Sequence, residues 1–301
     1  MRSFECTTSF FLVSLLYNNL SNNFILMLAI IVSRLDPAGM NIAKQLLKKG
    51  FEETSEKFDN SAIYENRAKK MRLYFINKDQ VFADYVDKIN CEAFVFASKH
   101  SSESKRPCLT VHPIGNWSKA QLGGRDFELV KTSSTIMKSY LIMLKKLEKE
   151  LELNFEVSYE ATHHGPYLTK PAIYIEIGSA MAQWENAKAA EAVAEAILNA
   201  DYKMDCKTAL GFGGLHYNPN FTRIALETDF AFSHMCPKYA LPFLNKEMVE
   251  KAIAATIEKV DAFVVERKGL STEKKRVLAL LKEFGIQILR LEDVRKIKKS
   301  C

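Results

Sequence analysis

From Leu28 onward the apolar positions of this chain switch between runs of strand length and helical spacing. Leu28 to Ser33 (LAIIVS) is a continuous apolar run; the turn Asp36-Pro37-Ala38-Gly39 follows it, and Met40 to Lys49 then sets Ile42, Leu46 and Leu47 on one side of a helix. Further strands are predicted at Arg72 to Ile76, Glu92 to Ala97, Asn154 to Glu160, Ala172 to Gly178, Arg223 to Glu227, Ala262 to Val265 and Ile286 to Leu291. Between them, Ile136, Tyr140, Leu144, Leu147 and Leu151 recur at helical spacing, with Lys145, Lys146, Glu148, Lys149 and Glu150 on the other face. Helices are also predicted for the Ala-rich stretch Ala180 to Ala200, for Glu247 to Val260, and for Thr272 to Glu283 with Gly285 just past its end. Strands alternating with helices, with no internal repeat and no Gly/Ser-rich linker, predict an α/β fold: a single domain with a mixed, largely parallel sheet flanked by helices.

Residues 1–26 break this pattern. The apolar stretches Phe10 to Tyr17 and Phe24 to Val32 are separated by Asn18, Asn19, Ser21, Asn22 and Asn23. Neither reaches the roughly 18 residues a membrane span needs. An apolar stretch follows Arg2, as in a signal peptide, but no small-x-small cleavage site comes after it. These residues are read as a non-native or untidy N-terminal extension, with the functional start at Met27, one domain over 27–301 and no membrane association.

The 301 residues are 48% hydrophobic, enough for a sizeable core, and 12 Gly with 8 Pro exclude collagenous or low-complexity classes. Cys6, Cys91, Cys108, Cys206, Cys236 and Cys301 form no CxxC pair, so neither a disulfide framework nor a thiolate zinc knuckle is expected. Reduced thiols point to the cytoplasm. Of the net charge of +6, all lies in Glu266 to Cys301, where eleven Lys/Arg face five Asp/Glu. A basic tail on a neutral body suits an anionic partner; its plainer reading is a solvated helix face.

Six histidines, His100, His112, His163, His164, His216 and His234, all fall outside the predicted amphipathic helices. Several are placed where strands end and loops converge, which is where open α/β sheets bind ligands. Imidazole is the commonest zinc ligand, and a catalytic zinc takes about three protein ligands and a water. The adjacent side chains of His163 and His164 are expected to diverge, so that one binds metal while the other hydrogen-bonds or acts as base. Glu160 and Glu176, read as ending neighbouring strands, are the carboxylates placed to complete the site or take a proton. Gly213-Gly214 offers a phosphate cradle, a weak signal without a following Lys-Ser/Thr, and no HExxH spacing is present.

The stretch Ser98-Lys99-His100-Ser101-Ser102, running on to Leu109-Thr110-Val111-His112-Pro113 and Gly115-Asn116, resembles a signature of the archaeal and plant D-aminoacyl-tRNA deacylases. So do Glu160-Ala161-Thr162-His163-His164-Gly165-Pro166, Glu176-Ile177-Gly178-Ser179 and Gly213-Gly214-Leu215-His216-Tyr217. Asp36 to Ile42 and Arg267 to Leu270 extend the similarity from about Met27 to about Leu291. The resemblance implies a cytosolic zinc-dependent hydrolase that cleaves the ester of D-aminoacyl-tRNA, with a fold akin to nucleoside phosphorylases and peptidyl-tRNA hydrolases. Leu215 stands where a third small residue is expected.

On this reading His100, His112, His216 and Glu176 hold one or two zinc ions, and His164, His163 and Glu160 are catalytic. Lys99, Asn116, Gly213, Gly214, Lys274 and Lys275 contact substrate, and a monomer is expected. Two other classes stay open: a zinc hydrolase or phosphorylase-like enzyme on small substrates, and a non-catalytic tRNA-binding module that needs the basic tail but not the histidines.

Overall fold

Strand β1 (Leu28–Ser33) is buried along its whole length in a computed structural model, which describes residues 27–103, 105–294 and 296. The proposed N-terminal extension lies outside the described residues. Alternate side chains of β1 enter two separate cores: Leu28, Ile30 and Val32 pack under helices, while Ala29 and Ile31 pack on the opposite face. A strand covered on both sides reads as a continuous apolar run rather than an alternating one.

The expected α/β class holds, but the strands divide into two sheets. The larger has the order β2-β3-β4-β1-β5-β8-β6-β7. Its members are β2 (Glu52–Phe58), β3 (Ser61–Asn66), β4 (Met71–Ile76), β5 (Ala93–Ser101), β6 (Cys108–Pro113), β7 (Glu156–Tyr159) and β8 (Ala172–Ser179), with β1. It is mixed: β4-β1-β5-β8 and β6-β7 run parallel, while β2-β3, β3-β4 and β6-β8 are antiparallel. The smaller sheet, order β10-β9-β11-β12, is parallel throughout and consists of β9 (Lys207–Gly214), β10 (Phe230–Pro237), β11 (Val260–Val265) and β12 (Gln287–Arg290).

Helices α1 (Pro37–Leu47), α2 (Ser134–Glu150), α4 (Ala187–Asn199) and α5 (Pro219–Glu227) bury their apolar faces in the principal core; the one-turn α3 (Met181–Trp184) precedes α4. The N-terminus of α1 is fixed by Pro37 in its first turn and by the Asp36 carboxylate, which accepts the Gly39 N–H at 2.8 Å and the Lys99 N–H at 2.8 Å. That second bond ties the helix to β5 beside His100. Helices α6 (Lys246–Ala254) and α7 (Lys274–Lys282) cover the smaller sheet.

Three differences from the sequence expectation have physical causes. Arg223 to Glu227, read as a strand, belongs to α5: Pro219 starts a helix, and Phe221, Ile224 and Ala225 bury at helical spacing. Strands β9 and β10 escaped because Gly211, Gly213 and Gly214 in one, and Ser233 and His234 in the other, read as loop, although both strands are almost wholly buried. The β2–β3 hairpin escaped because β2 (EETSEKF) is charged and exposed. Its turn is Asp59-Asn60, both with positive φ, 47° and 59°.

Candidate active site

Strand β8 organises the site. Ile173, Ile175 and Ile177 enter the helix-covered core, so Tyr174, Glu176 and Gly178 line the other face. Paired residues on neighbouring strands share that face. The antiparallel β6 sets His112 opposite Tyr174, and the parallel β5 sets Ser98 opposite Glu176 and His100 opposite Gly178. Gly178 makes room there, since a Cβ would stand 2.6 Å from Cys108 Sγ and 2.9 Å from His100 Cδ2. The site therefore lies along the face of β8, not only beyond strand ends. Glu176 sits within β8 rather than ending it, and β6 separates β8 from β7, so the two carboxylates do not end neighbouring strands.

The chain leaving β7 brings Glu160, His163 and His164, and the chain leaving β9 brings His216 and Tyr217. Glu160 forms a β-bridge with Tyr217, and Ala161 N–H donates to the His216 carbonyl at 2.8 Å. Glu160 is fully buried. Its Oε1 lies 3.0 Å from His100 Nδ1, and its Oε2 lies 3.0 Å from His216 Nε2 and 3.6 Å from His163 Nε2. Glu176 Oε2 is 3.5 Å from both His100 Nδ1 and His112 Nε2. The His163 and His164 side chains do not diverge as expected: their ring centroids are 4.2 Å apart. His164 adopts φ of 43°, and this left-handed turn removes the alternation that would send neighbouring side chains to opposite faces.

Electrostatics sort the histidines. Burial disfavours charge on His100, but Glu160 and Glu176 outweigh it and push its pKa up to about 10. The ring is therefore an imidazolium at neutral pH, with Tyr217 Oη 2.6 Å from Nε2. Burial, reinforced by His112, holds His163 well below the ordinary imidazole range and His164 at about 4, so both are neutral. Burial alone would raise the Glu160 pKa; His100 and His216 reverse it and hold the carboxyl well below its usual value.

Three sets of donors lie with their atoms within 4.8 Å of one another: His112 with His163 and His164, His100 with Glu160 and His216, and His112 with Glu160 and Glu176. The first set fits zinc on the chemistry of its donors. Nδ1 of His112, His163 and His164 faces the carbonyls of Pro113 (3.1 Å), Ala161 (2.8 Å) and Gly165 (2.8 Å), which puts the proton on Nδ1 and leaves the Nε2 lone pair for a cation. His112 Nε2 is buried with no hydrogen-bond partner. Glu176 outweighs burial and draws His112 toward its charged form; a cation on that nitrogen would answer the same carboxylate. The residues expected to bind metal and those expected to be catalytic are thus interleaved in one cluster.

A cleft of about 290 Å³ opens over it, lined by Asp36, Lys99, His100, Leu122, His164 and Glu176 among others. Of the residues expected to contact substrate, Lys99 is on this wall, its Nζ 5.6 Å from the Trp184 ring centroid. Asn116 is not: its Nδ2 donates to the carbonyls of Gly123 (3.1 Å) and Arg125 (3.2 Å), bracing the loop beside the cleft. The space a Cβ would fill at Gly213 and Gly214 is taken by Glu266 O and by Asn218 Oδ1, so the missing Cβ at each lets the chain pack closely on itself. Lys275 is exposed and Lys274 half-buried at the start of α7, and neither lines this cleft. Tyr217 and Tyr174 were missed; the latter stacks on His112 at 4.9 Å with an interplanar angle of 4°. Tyr174 could have been found, because it sits two residues before Glu176 in an apolar strand.

His234 stands apart on β10, fully buried, with Thr162 Oγ1 3.2 Å from its Nδ1. Burial holds its pKa at about 4. The folded value lies below the unfolded value of about 6.5, so the stabilisation is complete above pH 6.5 and is lost as pH falls toward 4, at most about 3 kcal/mol. Urea unfolding across this range should show a shallower acid limb for His234→Gln than for the wild type; superimposable slopes would reject the assignment.

The family of D-aminoacyl-tRNA deacylases has a sequence model that matches residues 87–289, a span that contains every member of the cluster. A D-aminoacyl-tRNA deacylase of Pyrococcus furiosus is 39% identical over 275 residues, covering 88% of this chain and 100% of the relative. One from Methanosarcina acetivorans is 38% identical over 281 residues, covering 89% and 94%. A crystal structure of a conserved protein of unknown function aligns with a TM-score of 0.82 at 33% identity, over 90% of this chain and 97% of that one. With the cluster inside the matched span and relatives aligned along almost their whole length, the chain belongs to the D-aminoacyl-tRNA deacylase family.

Proposed function

We propose that this chain hydrolyses the ester between a D-amino acid and the terminal ribose of tRNA, releasing both. The observation that carries this reading, beside family membership, is the convergence of neutral His163 and His164, which line the cleft, with the unpartnered Nε2 of the fully buried His112. Ester hydrolysis needs a nucleophilic water, a proton acceptor and stabilisation of the oxyanion. A zinc ion held by His112, His163 and His164 would acidify water and polarise the ester carbonyl.

The chain's own groups supply the rest. His216 is partly exposed, with Nε2 against Glu160, so that carboxylate orients the ring and leaves the other nitrogen to take the proton from water. His216, expected from the sequence to bind metal, takes the general-base role in this reading. The His100 imidazolium, held between Glu160, Glu176 and Tyr217, neutralises the two buried carboxylates and sets their orientation. Selection for the D-substrate is by shape, since a cleft that seats a D side chain must clash with its mirror image. Wild-type enzyme given paired D- and L-aminoacyl-tRNA should release only the D-amino acid; equal rates on both, or none on either, would sink the reading.

Among the described residues no helix is long and apolar enough to cross a membrane. Cys91, Cys108, Cys206 and Cys236 are all free thiols, which supports a reducing compartment, the cytoplasm.

The basic tail carries a further expectation. Arg276 is spoken for: it pairs with Glu273 at 2.7 Å and donates to the Leu241 and Leu244 carbonyls. Arg267, Lys268, Lys274 and Lys275 are the other described cations of the tail offered to phosphates, and of the basic run Arg295 to Lys299 only Lys296 lies among the described residues. Reversing Lys274 and Lys275 to Glu should weaken every tRNA alike and lower the slope of log affinity against log salt by about 0.7–0.9 per contact. An unchanged salt slope would make the tail a solvated face only.

A further inference from the structure

A second cavity, of about 410 Å³, opens beside the active-site cleft and shares His216 with it. Leu215, Lys238, Tyr239, Pro242 and the turn Ser271–Glu273 form its walls. Its size is that of a small-ligand site. Two large apolar side chains on it face solvent, Tyr239 at 58% exposure and Leu215 at 61%. Such exposure marks a binding surface when it is gathered at one place. Here it is also held rigid: in the turn Lys238–Phe243, Ala240 and Leu241 are buried in the core of the smaller sheet, and Arg276 from α7 clamps the carbonyls of Leu241 and Leu244.

The charge around this apolar surface is of one sign. Lys238 is exposed on the wall, and the Ser271–Glu273 turn leads directly into Lys274 and Lys275. Glu273, the carboxylate on the wall, is neutralised by Arg276 at 2.7 Å. An exposed aromatic ring beside unpaired lysine positions is the chemistry that binds single-stranded nucleotides: bases stack on the ring and phosphates meet the cations. A purely apolar protein partner would leave those lysines without a role.

We infer that this cavity receives the unpaired 3′-terminal nucleotides of the tRNA substrate. The terminal base stacks on Tyr239, the backbone phosphates meet Lys238, Lys274 and Lys275, and the terminal ribose is thereby delivered to His216, where the two cavities join. This inference rests on the deacylase reading above. It also gives Leu215, the large residue in an otherwise small-residue motif, a place: it extends the apolar floor under the base.

The test is the affinity of the full-length protein for a fluorescent single-stranded RNA ending in cytidine-cytidine-adenosine. Tyr239→Ala should raise Kd by roughly 5- to 100-fold, whereas Tyr239→Phe, which keeps the ring, should bind like wild type. Replacing the terminal adenosine by an abasic ribose should weaken wild type by a similar factor and Tyr239→Ala hardly at all, because the two changes remove one contact. Wild-type affinity retained in Tyr239→Ala, or lost equally in Tyr239→Phe, overturns the inference. So does a change of oligomeric state in Tyr239→Ala by sedimentation, which would make the surface a contact between copies of the chain. Hydrolysis of D-aminoacyl-tRNA by wild type, measured on the same preparation, separates the two readings: activity with an unaltered Tyr239→Ala affinity removes only the stacking site, and absence of wild-type activity removes the deacylase reading itself.

Discussion

His163→Ala is expected to lower kcat/KM for D-aminoacyl-tRNA by about 10³-fold or more and to abolish stoichiometric zinc binding, while leaving the protein folded. The ring is partly buried, neutral, and fixed by a 2.8 Å hydrogen bond from Nδ1 to its own loop's Ala161 carbonyl. Its replacement therefore removes a donor without stranding a charge. Elemental analysis after dialysis and single-turnover deacylation are read together. Zinc content and activity falling in step support the His112, His163 and His164 set. Zinc retained with activity lost would return His163 to a role in proton transfer, and full activity in metal-free protein would end the zinc reading altogether.

Gly165→Ala is expected to damage both the fold and the site. A Cβ at Gly165 would stand 2.2 Å from Gly124 N, 2.4 Å from Val81 O and 2.5 Å from Gly123 C. All three are backbone atoms, so no side-chain rotation relieves the clash. The cost is expected at or above the upper end of the usual 1–3 kcal/mol for overpacking. Because Gly165 directly follows His164, the loop that carries both histidines must shift; a misplacement of about 1 Å is worth roughly 100-fold in rate. Measured on metal-free protein, thermal stability should fall for Gly165→Ala and hold for His163→Ala, whereas turnover with zinc supplied should fall for both. A Gly165→Ala protein with wild-type stability and turnover would show that the three backbones can part freely.

How much of this site was legible depended on how far each relation reached along the chain. The strand AIYIEIGS announced its own two faces, and the histidines after strands marked the right region. That His163 and His164 share a side could not be read, because it turns on one left-handed φ at a residue that is not glycine. The His100 and Tyr217 pairing spans 117 positions, and no local pattern encodes it. Asn116 and the Gly213-Gly214 pair look like ligand-binding residues in sequence because the same properties, a side-chain amide and a missing Cβ, also serve close packing of the chain on itself. Strands β9 and β10 were hidden for a related reason, as their glycine, serine and histidine positions are buried by tertiary packing rather than excluded by polarity.

The junction between the two sheets has a thermodynamic consequence. Ala161 N–H binds the His216 carbonyl at 2.8 Å, Thr162 N–H binds the Met235 carbonyl at 3.1 Å, and Asn218 N–H binds the Tyr159 carbonyl at 3.0 Å. These bonds join the segment after β7 to β10 and the segment after β9, and Glu160, His163 and His216 lie between or beside them. Parting the sheets and dispersing the cluster are consequently one cooperative event. Occupancy of the cleft by substrate or ion then acts as a clasp on the whole molecule, and its binding free energy is added to the stability of the junction.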